Sequence, residues 1–238
     1  RIPVKSNDVK LPFHTIPVGI VFKGEVCITI SFHKTEMLSD FVTYTKRKNI
    51  DIKDNFDLVL KLLLSSSVWF LKYLKQVNQK IKLAEDNLEK SIKNEELQAL
   101  LQIEKCLVFF MTSLKGNDIL LHRIKNIKSQ REHFDLDLLE DVEIELRQAQ
   151  ETTNIYSDIL TGTMDAYASV ISNNMNTIMK QMTSISIILM IPTLIASLYG
   201  MNVPNNLQGN KYGIWIVIAV SVLLSAFGVF LFKRKRWF

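Results

Sequence analysis

Between Asp137 and Leu198 the chain carries no proline before Pro192 and a single internal glycine, Gly162. Such a run predicts one helix of roughly 90 Å at 1.5 Å per residue. A helix of that length exceeds the diameter of a small domain and must be supported by partner helices, a membrane or both. Its last part, Met182–Tyr199, is almost uncharged and rich in Ile, Leu, Ser and Thr. A second apolar stretch, Tyr212–Phe232, follows after the short loop Gly200–Lys211. About 20 apolar residues suffice to cross a bilayer, so a hairpin of two membrane helices is predicted. Lys211 is the only charge in the loop, whereas Lys180 and the run Lys233-Arg234-Lys235-Arg236 lie at the opposite ends. The positive-inside rule then puts both termini in the cytoplasm, with the loop outside the plasma membrane. Tyr212, Trp215 and Trp237 fall where interfacial aromatics belong. The competing reading is a soluble protein with two buried helices.

Upstream, the 238 residues leave room for one soluble domain beside the membrane segment. The chain opens at Arg1 rather than Met, so it is expected to be a piece lacking an N-terminal portion, and no signal-peptide pattern opens it. Residues 1–40 read as strands. The β-branched runs Val18–Phe22 and Val26–Ile30, separated by Lys23-Gly24-Glu25, predict a hairpin. From about Ser39 to Asn126 the pattern is helical. Phe56, Leu60, Leu63, Leu64, Ser67, Phe70, Leu71 and Leu74 share one broad face. Gln76–Glu104 reads as a charged amphipathic helix with Ile81, Leu88, Ile92 and Leu100 on its apolar side, and Lys115-Gly116-Asn117-Asp118 as an interhelical turn. Cys27 and Cys106 lack metal-ligand spacing and read as buried small apolar residues in a reducing compartment. The net charge of +5 owes part of its excess to the tail run, which beside an apolar span is a topology signal; no nucleic-acid motif accompanies it.

Asn176, Met179, Thr183, Ser186, Met190, Thr193 and Ser197 alternate steps of three and four. That spacing puts all seven on one helix face. A seam of this kind in water would be Leu or Ile; here it is polar, small or soft. One reading is helix–helix adhesion, since Ser and Thr are common where membrane helices touch. The other is the lining of a pore that needs several copies of the chain. Toward the N-terminus the same seam reaches Asp165, Asp158 and Asp141. Repeated about a symmetry axis these would form cation-attracting rings; otherwise they belong to a solvated helix face.

Tyr199-Gly200-Met201-Asn202 closes the first apolar span. It resembles the Gly-Met-Asn signature of the CorA family of divalent cation channels, in the position where that family carries it. The resemblance continues through Leu160–Tyr167, Ser172-Asn173-Asn174 and Asn176–Met182, and the tail Lys233–Trp237 is similar to the family's basic ending. It is sharp from about Asp141 to Phe238 and only architectural before that. The resemblance implies an α+β cytoplasmic domain, mostly helical here, a very long stalk helix, a two-helix transmembrane hairpin and a funnel-shaped homopentamer. It implies that Gly200, Met201 and Asn202 surround the outer mouth, with the Asn202 amide facing a hydrated ion. Mg²⁺ dehydrates reluctantly and prefers octahedral oxygen coordination, so amide and carbonyl acceptors suit its passage. The absence of a carboxylate from the membrane part of the seam fits a hydrated ion. The family also holds regulatory Mg²⁺ between neighbouring cytoplasmic domains. Asp141 falls at the position of one contributing acid, whose usual partner lies earlier than this chain begins. Asp165 would form the cytoplasmic ring. Family members often carry acids after the signature, whereas Val203–Lys211 has none.

The expected organisation is a partial cytoplasmic domain at 1–135, a stalk at 136–181, membrane helices at 182–199 and 212–232, an outer loop at 200–211 and a basic tail at 233–238. The expected function is influx of hydrated Mg²⁺ across the plasma membrane, with Co²⁺ and Ni²⁺ as further ions, gated by cytoplasmic Mg²⁺. The partners are other copies of the chain, the lipid bilayer and divalent cations, with no nucleic acid and no organic cofactor. The alternatives are a Zn²⁺ transporter of the ZntB type, which no His- or Cys-rich cluster favours, and a membrane-anchored coiled-coil scaffold. Phosphate-loop, nucleophile and metal-hydrolase motifs are missing, so an enzyme is not expected.

Overall fold

The computed structural model describes residues 1–6, 11–24, 26–90, 94–126, 135–202 and 210–235. In chain order the elements are β1 (Ile2–Lys5), β2 (Phe13–Ile16), β3 (Val18–Lys23), β4 (Val26–Ser31), α1 (Glu36–Lys48), α2 (Asn55–Lys90), α3 (Asn94–Lys125), α4 (Leu136–Tyr199) and α5 (Gly213–Arg234). They fall into two units, Arg1–Asp165 and Ala166–Phe238, and α4 contributes to both.

In the first unit β1 and β2 pair antiparallel, with Ile2 opposite Ile16 and Val4 opposite His14. Their apolar residues Ile2, Val4, Phe13 and Ile16 are buried. Phe13 lies 5.2 Å from the Tyr73 ring of α2 and 6.3 Å from Phe110 of α3, and Phe70 meets Phe110 edge-on at 5.1 Å. Burying one such side chain is worth about 1.5–3 kcal/mol, so this aromatic knot anchors the strands to the helices. The predicted hairpin forms: Val18 pairs with Ser31 and Lys23 with Val26, and Gly24 supplies the positive φ of 61° that the reversal needs. Helix α1 begins at Glu36, three residues before Ser39, because Thr35 caps it by accepting from the Leu38 amide at 3.1 Å. It stops at Asn49, which takes a left-handed conformation with φ 46° and returns its N–H to the last turn.

Two expectations about the middle of the chain fail. Gln76–Glu104 is not one helix: α2 ends at Lys90 and α3 starts at Asn94, with Glu95 and Glu96 in its first turn. The two helices then run antiparallel, since Asn87 bonds Glu96 at 3.0 Å near the connection and Phe70 meets Phe110 far from it. Nor is Lys115–Asp118 a turn, because α3 passes straight through it. Leu107, Phe110, Leu114, Asn117, Leu121 and Ile124 are all buried at steps of three and four, so the packed face crosses the polar tetrapeptide unbroken. Gly116 points to open space and costs only its propensity, about 1 kcal/mol. Asn117 is buried and donates to the Arg1 carbonyl at 2.8 Å. The predicted face of α2 does pack: Leu60, Leu63, Ser67, Phe70 and Leu74 are buried. Ile81, Leu88 and Leu100 are buried as well. Cys106 is buried as expected, but Cys27, on the exposed hairpin, is only half-buried. Glu25, Ile92, Arg236, Trp237 and most of the 200–211 loop lie outside the described residues.

Helix α4 starts where Asp135 accepts from the Leu138 amide at 3.2 Å. That bond, with the Lys53 ammonium 3.3 Å away, holds the Asp135 carboxyl below the usual range. Leu139, Val142, Leu146, Ala149, Thr153 and Leu160 form its buried seam. Gln150 reaches the Leu114 carbonyl and Thr163 the Glu85 carboxylate, which fastens this half of α4 to α2 and α3.

Among the described residues, three helices are long and apolar enough to cross a membrane: Glu95–Lys125, Leu136–Tyr199 and Gly213–Arg234. They differ in what covers them. In α3, 39% of the most apolar window is buried inside the first unit, against 6% in each of the others. One face of α3 packs in the core while Val108, Phe109, Ile119 and Leu120 stay exposed; the most apolar window of α4 and that of α5 are almost wholly bare.

Candidate functional site

Within the second unit, α5 packs on one face of α4. Ile188, Ile191, Pro192 and Ile195 are half-buried there, and Ser184 is fully buried. A Cβ on Gly228 would lie 3.6 Å from Ile191 and 3.7 Å from Ile188, ordinary contact distances that mark how near the helices come. At 100° per residue, the Asn176–Ser197 stripe is centred about 150° away from that face. Every one of Asn176, Met179, Thr183, Ser186, Met190, Thr193 and Ser197 is exposed, Met179 at 56% and Met190 at 68%. The residues singled out by their spacing are thus together on one face, and α5 leaves that face free.

The hydroxyls of the stripe are quiet. Thr183 donates to the Met179 carbonyl at 2.8 Å and Thr193 to Leu189 at 3.0 Å. Each keeps its oxygen lone pairs available on the exposed side while its proton stays on its own helix. The surface they make has acceptor oxygens, two thioethers and no charge.

Along the same seam, Asp141, Asp158 and Asp165 are exposed, and so are Ile144, Gln148, Glu151, Ile155 and Gly162 between them. They stand apart from the buried seam that fastens α4 to the first unit. No cluster of three or more His, Cys, Asp or Glu side chains suited to a metal ion occurs among the described residues. The acids therefore stand one per turn or fewer, and a multi-carboxylate site is not present in a single copy of these residues.

At the far end of the stripe α4 closes at Tyr199. The Gly200 amide still donates to the Ala196 carbonyl at 2.9 Å, and a Cβ at Gly200 would come within 3.2 Å of that oxygen. Glycine therefore lets the chain leave the helix tightly here. Met201 and Asn202 follow, both exposed. The start of α5 is held by Asn210, whose side chain accepts from the Tyr212 amide at 3.0 Å. Tyr212 and Trp215 are exposed at that end, and Lys233 and Arg234 lie in the last turn at the other.

One contact was not foreseen from the sequence. Pro192 interrupts α4 and has no N–H to give the Ile188 carbonyl. The Ser225 hydroxyl of α5 points at that same carbonyl, at 3.5 Å. The missing donor at Pro192 was the available signal, but the register of the two helices was not readable.

A family model described as CorA-like Mg2+ transporter protein matches residues 2–234. The chain belongs to the CorA family. The cobalt/magnesium transport protein CorA of Methanocaldococcus jannaschii is 28% identical over 247 residues, covering 100% of this chain and 75% of that protein. The CorA protein of Thermotoga maritima is 28% identical over 166 residues, 69% of this chain and 47% of its own length. The complete structure of the CorA magnesium transporter from Methanocaldococcus jannaschii superposes with a TM-score of 0.73 at 24% identity, covering 100% of this chain and 80% of that one. The fold of this chain is thus the CorA fold.

Proposed function

We propose that this CorA-family chain forms, as a homopentamer, a channel for influx of hydrated Mg²⁺, with Co²⁺ and Ni²⁺ as further ions. The end of α4 and α5 cross the plasma membrane as a hairpin, with both termini in the cytoplasm. The α4 stripe lines the pore. The observation that carries this reading is the stripe itself: seven polar, small or thioether residues, all exposed, on the face that α5 does not cover. Bare apolar flanks such as Leu189, at 65% exposure, suit lipid and neighbouring copies. A hydrated Mg²⁺ needs oxygen acceptors for its water protons rather than ligands that replace the water. Thr183, Ser186, Thr193 and Ser197 offer such oxygens, and Gly200, Met201 and Asn202 follow them at the outer mouth. Asp165 makes a ring at the cytoplasmic mouth, and Asp141 takes part in a regulatory Mg²⁺ site between copies.

The test is ion flux into liposomes containing the protein, comparing Mg²⁺, Co²⁺ and Zn²⁺, with Asn202→Ala beside the wild type. Mg²⁺ flux that falls at least tenfold in the variant, with assembly unchanged by size-exclusion chromatography, is the expected result. Zn²⁺ flux without Mg²⁺ flux would move the chain to the ZntB-type reading, and no flux of any ion would remove the channel reading.

A further inference from the structure

Proline in a helix leaves one carbonyl without its donor, four residues back. In α4 that carbonyl belongs to Ile188. Ile188 lines a groove with Leu189, Val217, Ile218 and Val222, in which the hydroxyl other than that of Ser225, Ser221, already donates to the Val217 carbonyl at 2.8 Å. In an apolar setting an unmet carbonyl is costly, and membrane helices meet it with hydroxyls from neighbours. Thr183, Ser184, Thr193 and Ser221 all donate to the carbonyl four residues back in their own helix. Ser225 does not. Its proton is directed out of α5, to the one carbonyl that Pro192 has left bare, at 3.5 Å.

We infer that Ser225 is a positioning residue: its hydroxyl replaces the amide donor missing at Pro192 and braces α4 against α5 at its weakest turn. A helix that lacks a bond at one turn bends there most readily. Above that turn lie Thr193, Ser197 and Asn202; below it lie Thr183, Ser186 and the rest of the stripe. The brace fixes the direction of the upper segment while the lower one is held by its own unbroken ladder. The brace rests on the proline and the hydroxyl; only its consequence for ions depends on the pore reading above.

The experiment uses the full chain in five forms: wild type, Ser225→Ala, Ser225→Thr, Pro192→Ala, and Ser225→Ala combined with Pro192→Ala. Two quantities are measured, the midpoint of thermal unfolding in detergent and the rate at which single cysteines at Thr193 and Thr183 react with a small water-soluble thiol reagent. Ser225→Ala is expected to lower the midpoint by about 2–4 °C, the shift that one lost interaction of this size produces in a chain of this length. It should change the rate at the Thr193 position several-fold and leave Thr183 unchanged. Ser225→Thr keeps the hydroxyl and should stay near the wild type. Where Pro192→Ala has restored the amide donor, Ser225→Ala should have no further effect on either quantity. An equal drop in both backgrounds, or equal rate changes at Thr183 and Thr193, would overturn the brace. If neither cysteine reacts in the wild type, the pore reading fails, and the thermal comparison of the five forms alone decides the brace. If Pro192→Ala does not assemble, a Ser225→Thr variant as impaired as Ser225→Ala overturns it.

Discussion

Tyr73 shows how a single side chain ties the strands, α1 and α2 together. It is buried beside Phe13 and Trp69, with its hydroxyl 3.4 Å from the Glu36 carboxylate. Burial first, then the Glu36 charge and its hydrogen bond, push the phenol up to about 12. Unfolded, it would titrate near 10. The folded state therefore keeps its proton where the unfolded state loses it. The stability this provides is complete below pH 10 and is lost as pH rises from 10 through 12. Alkaline unfolding followed by circular dichroism should accordingly begin above pH 10, and Tyr73→Phe should flatten the loss across that window. An identical alkaline profile in the Phe variant would mean that other groups govern it. Glu36 and Tyr73 are 37 residues apart, and no sequence pattern announces their meeting.

At the scale of one helix, α4 carries two seams with different fates. Leu139, Val142, Leu146, Ala149, Thr153 and Leu160 are buried, while Asp141, Ile144, Gln148 and onward to Ser197 are exposed. Cysteines at Met179, Ser186 and Met190 should react quickly with water-soluble thiol reagents and block flux, whereas cysteines at Ile188 and Ile195, against α5, should react slowly. Equal labelling on both faces would refute the assigned orientation. This helix was largely legible beforehand, since length, proline placement and periodicity do not depend on partners. The break between α2 and α3 was not. Charged residues from Glu85 to Glu96 keep a helical composition on both sides of the reversal, and its cue, two acids at a helix start, is weak. The false turn at Lys115–Asp118 arose from the opposite error. The polar tetrapeptide hides the buried 3–4 pattern that runs from Leu107 through Leu121.

For the molecule as a whole, the proposed channel couples the first unit to ion flow through α4. Like charges gathered about an axis repel, and a bridging divalent cation reverses that cost. In that proposal, Mg²⁺ held at Asp141 between copies favours the closed assembly and its loss favours opening, a coupling between two sites. Asp141→Asn or Asp141→Lys should give flux that persists at cytoplasmic Mg²⁺ levels that shut the wild type. The same variants should show weaker Mg²⁺ protection of 136–181 from protease. Unchanged inhibition and protection would return Asp141 to an ordinary solvated face. The sequence signature at Gly200–Asn202 carried the family assignment because it is local. A site shared between copies, as proposed for Asp141, is not local, and one copy can show only a single acid of it.

The exposure of the α4 stripe also reverses the usual bond between accessibility and tolerance. In most proteins a position bare to solvent accepts nearly any residue, and selection falls on the interior. Thr183, Ser186, Met190 and Thr193 are exposed, and the hydroxyls of Thr183 and Thr193 bond only carbonyls of their own helix, so a screen for expression or stability would score them as free. Under the proposed pore, a screen for growth on limiting Mg²⁺ would score the same positions as closed. Two mutational maps of one helix would then disagree most where the single chain looks least constrained, and the disagreement itself would trace the path of the ion.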